Sequence, residues 1–155
     1  MEQRALGRTG RPVSVVGLGT WQLGADWGDV SEADARAVLE AAADGGITFF
    51  DTADVYGDGR SETVIGGFLA DHPGAGITVA TKMGRRADQV PENYVLDNFR
   101  AWTDRSRRNL GVEVLEDFAE MTGTEMVTIG ADTTPRSFQR ELRWNAAYHR
   151  LNQAL

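Results

Sequence analysis

The sequence predicts an α/β fold built on a parallel sheet. Short apolar runs rich in β-branched and aromatic residues alternate with longer runs whose apolar positions recur at helical spacing, and glycine, present 18 times, punctuates the alternation. A chain of 155 residues, 41% hydrophobic and 25% charged, has the composition of a single soluble domain, taken here as residues 1–155.

The elements follow in order. Residues 4–13 read as a small hairpin turning near Thr9-Gly10, and residues 15–19 as the first inner strand. Ser31, with Asp34 three residues on, caps a helix carrying Ala35, Val38, Leu39 and Ala42 until Gly45-Gly46 stops it. Residues 47–51 form a buried strand. Ser61 is the expected cap of a second helix whose apolar side holds Val64, Ile65, Phe68 and Leu69, closed by His72-Pro73-Gly74. Residues 77–82 are the third strand. Pro91 then opens a third helix with Val95, Phe99 and Trp102 inward and Arg100, Asp104, Arg105, Arg107 and Arg108 in water. The connections are long enough for right-handed crossovers between parallel strands.

Charge and composition exclude several functions. Sixteen Lys and Arg against 23 Asp and Glu leave a formal charge of -7, which repels phosphate backbones, so no nucleic-acid partner is expected. The absence of cysteine removes disulfides, thiolate catalysis and Cys-ligated zinc, and His72 and His149 have no carboxylate at ligand spacing, so no metal is expected. No apolar run approaches the ~20 residues of a membrane span, and Met-Glu-Gln-Arg at the start is not a signal peptide; the expected compartment is the cytoplasm.

Five segments in order then become specific: Leu6-Gly7-Arg8-Thr9-Gly10; Gly17-Leu18-Gly19-Thr20-Trp21; Phe50-Asp51-Thr52-Ala53-Asp54-Val55-Tyr56-Gly57; Ser61-Glu62 with Ile65-Gly66; and Thr81-Lys82. On these the chain resembles the aldo-keto reductase family over residues 1–115. The resemblance implies a (β/α)8 TIM barrel and NADPH-dependent reduction of an aldehyde or ketone, a small-molecule carbonyl, by hydride transfer. It implies Tyr56 as general acid, Lys82 as the positive charge beside the phenolate, and Asp51 as the partner that fixes Lys82 and contributes to the cofactor site. Gly19 and Thr20 are the further cofactor-binding candidates, and Trp21 lines the substrate pocket or plugs the barrel mouth. An Asp and a Tyr at this spacing, outside such segments, are more often a turn with a packed aromatic. Gly17-Leu18-Gly19 is no Rossmann fingerprint, since the third glycine and the helix start are missing.

The last quarter departs from the family. After Asn109-Leu110-Gly111-Val112 the family continues into a fourth strand ending in a His that orients the carbonyl, and Met121 stands at that place here. Residues 114–123 carry helical spacing instead. A fourth strand is expected at residues 125–130 and a helix at residues 137–155, a segment that resembles sugar isomerase and epimerase barrels. Four strand-helix units make half a barrel, where complete ones run about 250 residues. Val15, Ile47, Phe49, Ile77, Val79, Val127 and Ile129 are the expected inner face, which a homodimer would cover by closing the barrel. Two functions follow: a reductase, or a catalytically inactive, truncated or chimeric half-barrel scaffold that self-associates.

Overall fold

A computed structural model describes residues 1–25 and 28–113. The expectations for Met121, for a strand at residues 125–130 and for a helix at residues 137–155 lie outside the described residues. The opening hairpin is present: β1 (Gln3–Ala5) pairs antiparallel with β2 (Pro12–Ser14), and Gly10 turns the chain at φ 70°. Three short strands follow, β3 (Leu18–Gly19), β4 (Phe49–Asp51) and β5 (Thr78–Ala80), hydrogen-bonded in that order as a parallel sheet.

The first inner strand is shorter than expected. Ser14 and Thr48 exchange two side-chain to backbone hydrogen bonds of 2.9 Å, and the Ser14 hydroxyl donates to the Val16 carbonyl at 2.6 Å. The chain bends there instead of pairing, and Val15 and Val16 stay exposed.

Register decides what each face carries. Leu18 stands opposite Phe50 and Phe50 opposite Val79, and all three pack into the cluster formed with Leu39, Ile65 and Phe68 of the helices. Successive side chains in a strand point to opposite faces, so the row Gly19, Asp51, Ala80 occupies the other side. This corrects the expected inner face: Ile47, Ile77 and Val79 pack against the helix-side core, and Val15 is exposed.

Helix α1 (Glu32–Asp44) starts as expected, with the Ser31 hydroxyl accepting the Asp34 N–H at 3.0 Å while donating to the Asp34 carboxylate at 2.6 Å. Glu32 and Asp34 place negative charge at the helix's positive end. Val38 departs from the expectation and faces solvent; Ala35, Leu39 and Ala42 carry the packing.

Helix α2 (Arg60–Asp71) is capped by Gly59, at φ 91°, and not by Ser61. The Ser61 hydroxyl turns inward, 2.9 Å from both the Thr20 carbonyl and hydroxyl oxygens and 3.0 Å from the Thr52 hydroxyl. A buried tie between α2 and the residues that follow β3 and β4 has replaced a surface cap.

Pro91 opens a separate 3-10 turn (Pro91–Asn93), and helix α3 (Leu96–Leu110) begins beyond it. Val95 is therefore the exposed residue before the helix and not an inward one. Phe99 and Trp102 are buried, their rings edge-on at 5.6 Å. Arg105, expected in water, is half-buried and bonded to Asp58. No helix among the described residues is long and apolar enough to cross a membrane.

Helices α2 and α3 approach closely at Gly66, where a Cβ would run into the Asn109 carbonyl and the Leu110 backbone. That approach lets the Asn109 amide donate to Glu62 at 2.9 Å, and Thr81 donates to the other Glu62 oxygen at 2.6 Å. Gly66→Ala is expected to force the helices apart and cost about 2 kcal/mol in urea unfolding; an unchanged midpoint would contradict the contact.

Candidate active site

The pairing of β4 with β5 runs on past the strand ends. The Thr52 N–H donates to the Ala80 carbonyl at 2.8 Å and the Asp54 N–H to the Lys82 carbonyl at 2.9 Å. On the face carrying Asp51 its neighbours are Gly19 and Ala80, small enough to leave room beside the carboxylate. Lys82, two residues beyond Ala80, reaches that carboxylate. Its ammonium donates to both Asp51 oxygens, at 2.8 and 2.9 Å, and to the Thr52 carbonyl at 2.7 Å, so each of its three protons has an acceptor. Residues 31 apart in sequence thus form a half-buried ion pair at the carboxyl ends of adjacent parallel strands.

Tyr56 lies in the loop between β4 and α2. Its ring centre is 5.4 Å from the Lys82 ammonium, within cation–π range, and the Trp21 ring stacks on it at 6.1 Å. Trp21 is 42% exposed and forms the outer wall of the group. Asp51, Tyr56, Lys82 and Trp21 therefore come together. Thr20 lies deeper: it is fully buried, and its N–H and hydroxyl both donate to the Asp51 carbonyl at 2.9 Å. Its contact is with the backbone that carries Asp51, while Gly19 beside it is exposed.

The loop that carries Tyr56 is tightly wound. Gly57, Asp58 and Gly59 all have positive φ, and a Cβ on Gly57 would collide with the Gly24 carbonyl, so only glycine fits there. Two arginines hold the turn. Arg86, from the segment after β5, donates to the Asp54 carbonyl at 2.6 Å and to the Asp58 carboxylate. Arg105, from α3, donates to the Asp58 carbonyl and, at 2.9 Å, to its carboxylate. The Arg86 hydrogen bond and the two positive charges hold the Asp58 carboxyl below its ordinary range.

Sequence reasoning missed this clamp. Asp58 lies just past the segment ending in Tyr56-Gly57 and carries no expectation, and Arg105 reads as a solvent-facing residue of α3. The available signal was the run of three left-handed residues that Gly57-Asp58-Gly59 permits, which needs holding from outside.

Asp54 is the unusual member. Its side chain is buried, with 1% of the residue exposed, and neither carboxyl oxygen has a hydrogen-bond partner among the described residues. Burial is the main cause that raises its pKa from the ordinary 3.8 to about 6; Glu62 and Asp58 push the same way, and Arg86 and Arg105 oppose. Between those two values the unfolded chain has released the proton and the folded chain still holds it, so stability falls as pH rises from about 4 to 6 and is level above. Asp54→Asn is expected to remove that fall and to stabilise the protein at pH 7.5 by up to about 3 kcal/mol, while leaving it unchanged near pH 3.5. Parallel pH–stability curves for the two proteins would contradict this.

Comparisons with known proteins bear on the fold and the family. The family model described as "Aldo/keto reductase family" matches residues 15–118. Pyridoxal 4-dehydrogenase of Microbacterium luteolum is 50% identical over 84 residues, 54% of this chain and 24% of that protein. The solved structure of the holo form of an aldo-keto reductase from Bacillus halodurans superposes with a TM-score of 0.63 at 28% identity, covering 75% of this chain and 38% of that one. L-arabinose isomerase of a Nocardioides species is 65% identical over 46 residues, 30% of this chain and 9% of that protein. The chain spans less than half the length of each of these, and its sheet and helices correspond to part of a (β/α)8 barrel. With the family model matching most of the chain, the chain belongs to the aldo/keto reductase family.

Proposed function

We propose that the cluster at the strand ends is the acid side of a nicotinamide-dependent carbonyl reductase, NADPH being the expected cofactor. The observation that carries this reading is the Lys82 ammonium, bidentate on Asp51 and 5.4 Å from the centre of the Tyr56 ring. The described residues fit the nicotinamide end of such a cofactor. Gly19 is exposed, no atom lies within 4 Å of the place a Cβ would take, and its backbone adjoins Asp51 across the sheet.

A reduced nicotinamide, when bound, supplies the hydride. The chain's own residues handle the proton. As negative charge develops on the carbonyl oxygen, the Tyr56 hydroxyl donates to it, and the phenolate left behind is stabilised by the Lys82 charge. Asp51 holds that charge in place with both oxygens, and Thr20 holds the Asp51 backbone. Trp21, stacked on Tyr56 and partly exposed, offers an apolar wall beside the hydroxyl and favours substrates with a flat or aromatic body.

Two measurements test the reading. Titrating the purified chain with NADPH and following tryptophan fluorescence is expected to show saturable quenching, weakened about tenfold or more in Asp51→Asn; the absence of binding by NADPH and NADH alike would overturn it. With an aromatic aldehyde and NADPH, Tyr56→Phe is expected to lower kcat at least ~100-fold with KM little changed. Equal rates for the two proteins would remove Tyr56 as the acid.

A further inference from the structure

The clamp around the Tyr56 loop contains an unmatched pair. Both oxygens of the buried Asp54 carboxyl lack partners among the described residues, and so does the buried Nε–H of Arg105. Acceptors and donor belong to one charge cluster: the groups acting on Asp54 are Arg86 after β5, Glu62 on α2, Arg105 on α3 and Asp58 in its own loop. Glu62 is already engaged by Thr81 and Asn109, so it is fixed. The partners of opposite charge are the two arginines, and both are now turned to the Asp58 carboxylate.

Buried polar groups without partners are costly, and an ionised carboxylate without one is costlier. The arrangement with Asp54 unbonded and both arginines on Asp58 is the one that suits a neutral Asp54. Ionised, Asp54 competes with Asp58 for the same two guanidinium groups, and Arg105 has an unused donor to give it. Asp54 is also the hinge between the two halves of the site, because its N–H is bound to the Lys82 carbonyl and its carbonyl to Arg86.

We propose that Asp54 is a positioning residue: its carboxyl, by gaining or losing a proton, shares Arg86 and Arg105 with Asp58 and so sets how firmly the loop carrying Tyr56 is held beside Lys82. The neutral form leaves the arginines on Asp58 and the loop clamped. The ionised form draws them inward and loosens residues 57–59. Its proton exchange falls near pH 6, inside the range a cell experiences. The consequence for catalysis rests on the reading of Tyr56 as the acid; the movement of the loop does not.

The test is NMR of the full chain labelled with 13Cζ-tyrosine, which gives three signals from Tyr56, Tyr94 and Tyr148, the first assigned with Tyr56→Phe. The Tyr56 signal is expected to shift between pH 5 and 8 with a midpoint near 6, and to be flat in Asp54→Asn. Arg105→Lys keeps the charge and removes the unused Nε donor, so it is expected to move the midpoint up by about half a pH unit or more. A flat Tyr56 signal in the unaltered chain, an inflection that survives Asp54→Asn, or a midpoint indifferent to Arg105→Lys would each overturn the proposal. NADPH titration of the same samples separates the two readings: lost binding with the inflection intact removes the reductase, and intact binding with no inflection removes only the role of Asp54.

Discussion

The ion pair between Asp51 and Lys82 is the constraint on which the rest of the site is built. The ammonium has three protons and three acceptors, two on Asp51 and one on the Thr52 carbonyl, so its position is fixed in every direction. Across the sheet Asp51 is flanked by Ala80, on the strand that leads to Lys82, and by Gly19 on the other side, where the space beside the backbone stays open. The same pair sets the charge that Tyr56 faces, and thus links strand register to the chemistry of the strand ends.

Beneath the pair lies a polar layer instead of an apolar one. Thr20, Thr52 and Ser61 join three elements through buried hydroxyls, and Glu62 joins α2 to Thr81 and to α3. Satisfied networks of this kind specify one arrangement, since any slip leaves a buried polar group unpaired. Asp54 stands out against that background. In a neighbourhood where hydroxyls and amides are matched, its two unmatched oxygens mark a place where the arrangement has an alternative.

What was legible in the sequence was local or carried by ordered motifs. The Ser31 cap with Asp34 is a contact between residues three apart, so the pattern alone contains it. Asp51, Tyr56 and Lys82 were legible as members of family segments, and strand order brings them together. The misses share a different cause. Ser61 has the sequence position of a cap, yet Thr20 and Thr52, just past the ends of β3 and β4, claim its hydroxyl. Val38 and Val95 fit an apolar stripe by spacing, but no element among the described residues covers them. Arg105 lies on a charged face of α3, and only the fold brings Asp58, 47 residues away, against it. The inner face was misread because a short apolar strand has no alternation to show which side faces the helices.

A double-mutant cycle between Asp51 and Lys82 tests the central claim most directly, using Asp51→Asn, Lys82→Met and the double variant in chemical unfolding. A half-buried pair that satisfies all three ammonium protons is expected to show a coupling of about 1 kcal/mol or more, above that of an exposed surface pair. Additive losses, with a coupling within about 0.3 kcal/mol of zero, would contradict a site organised by this interaction.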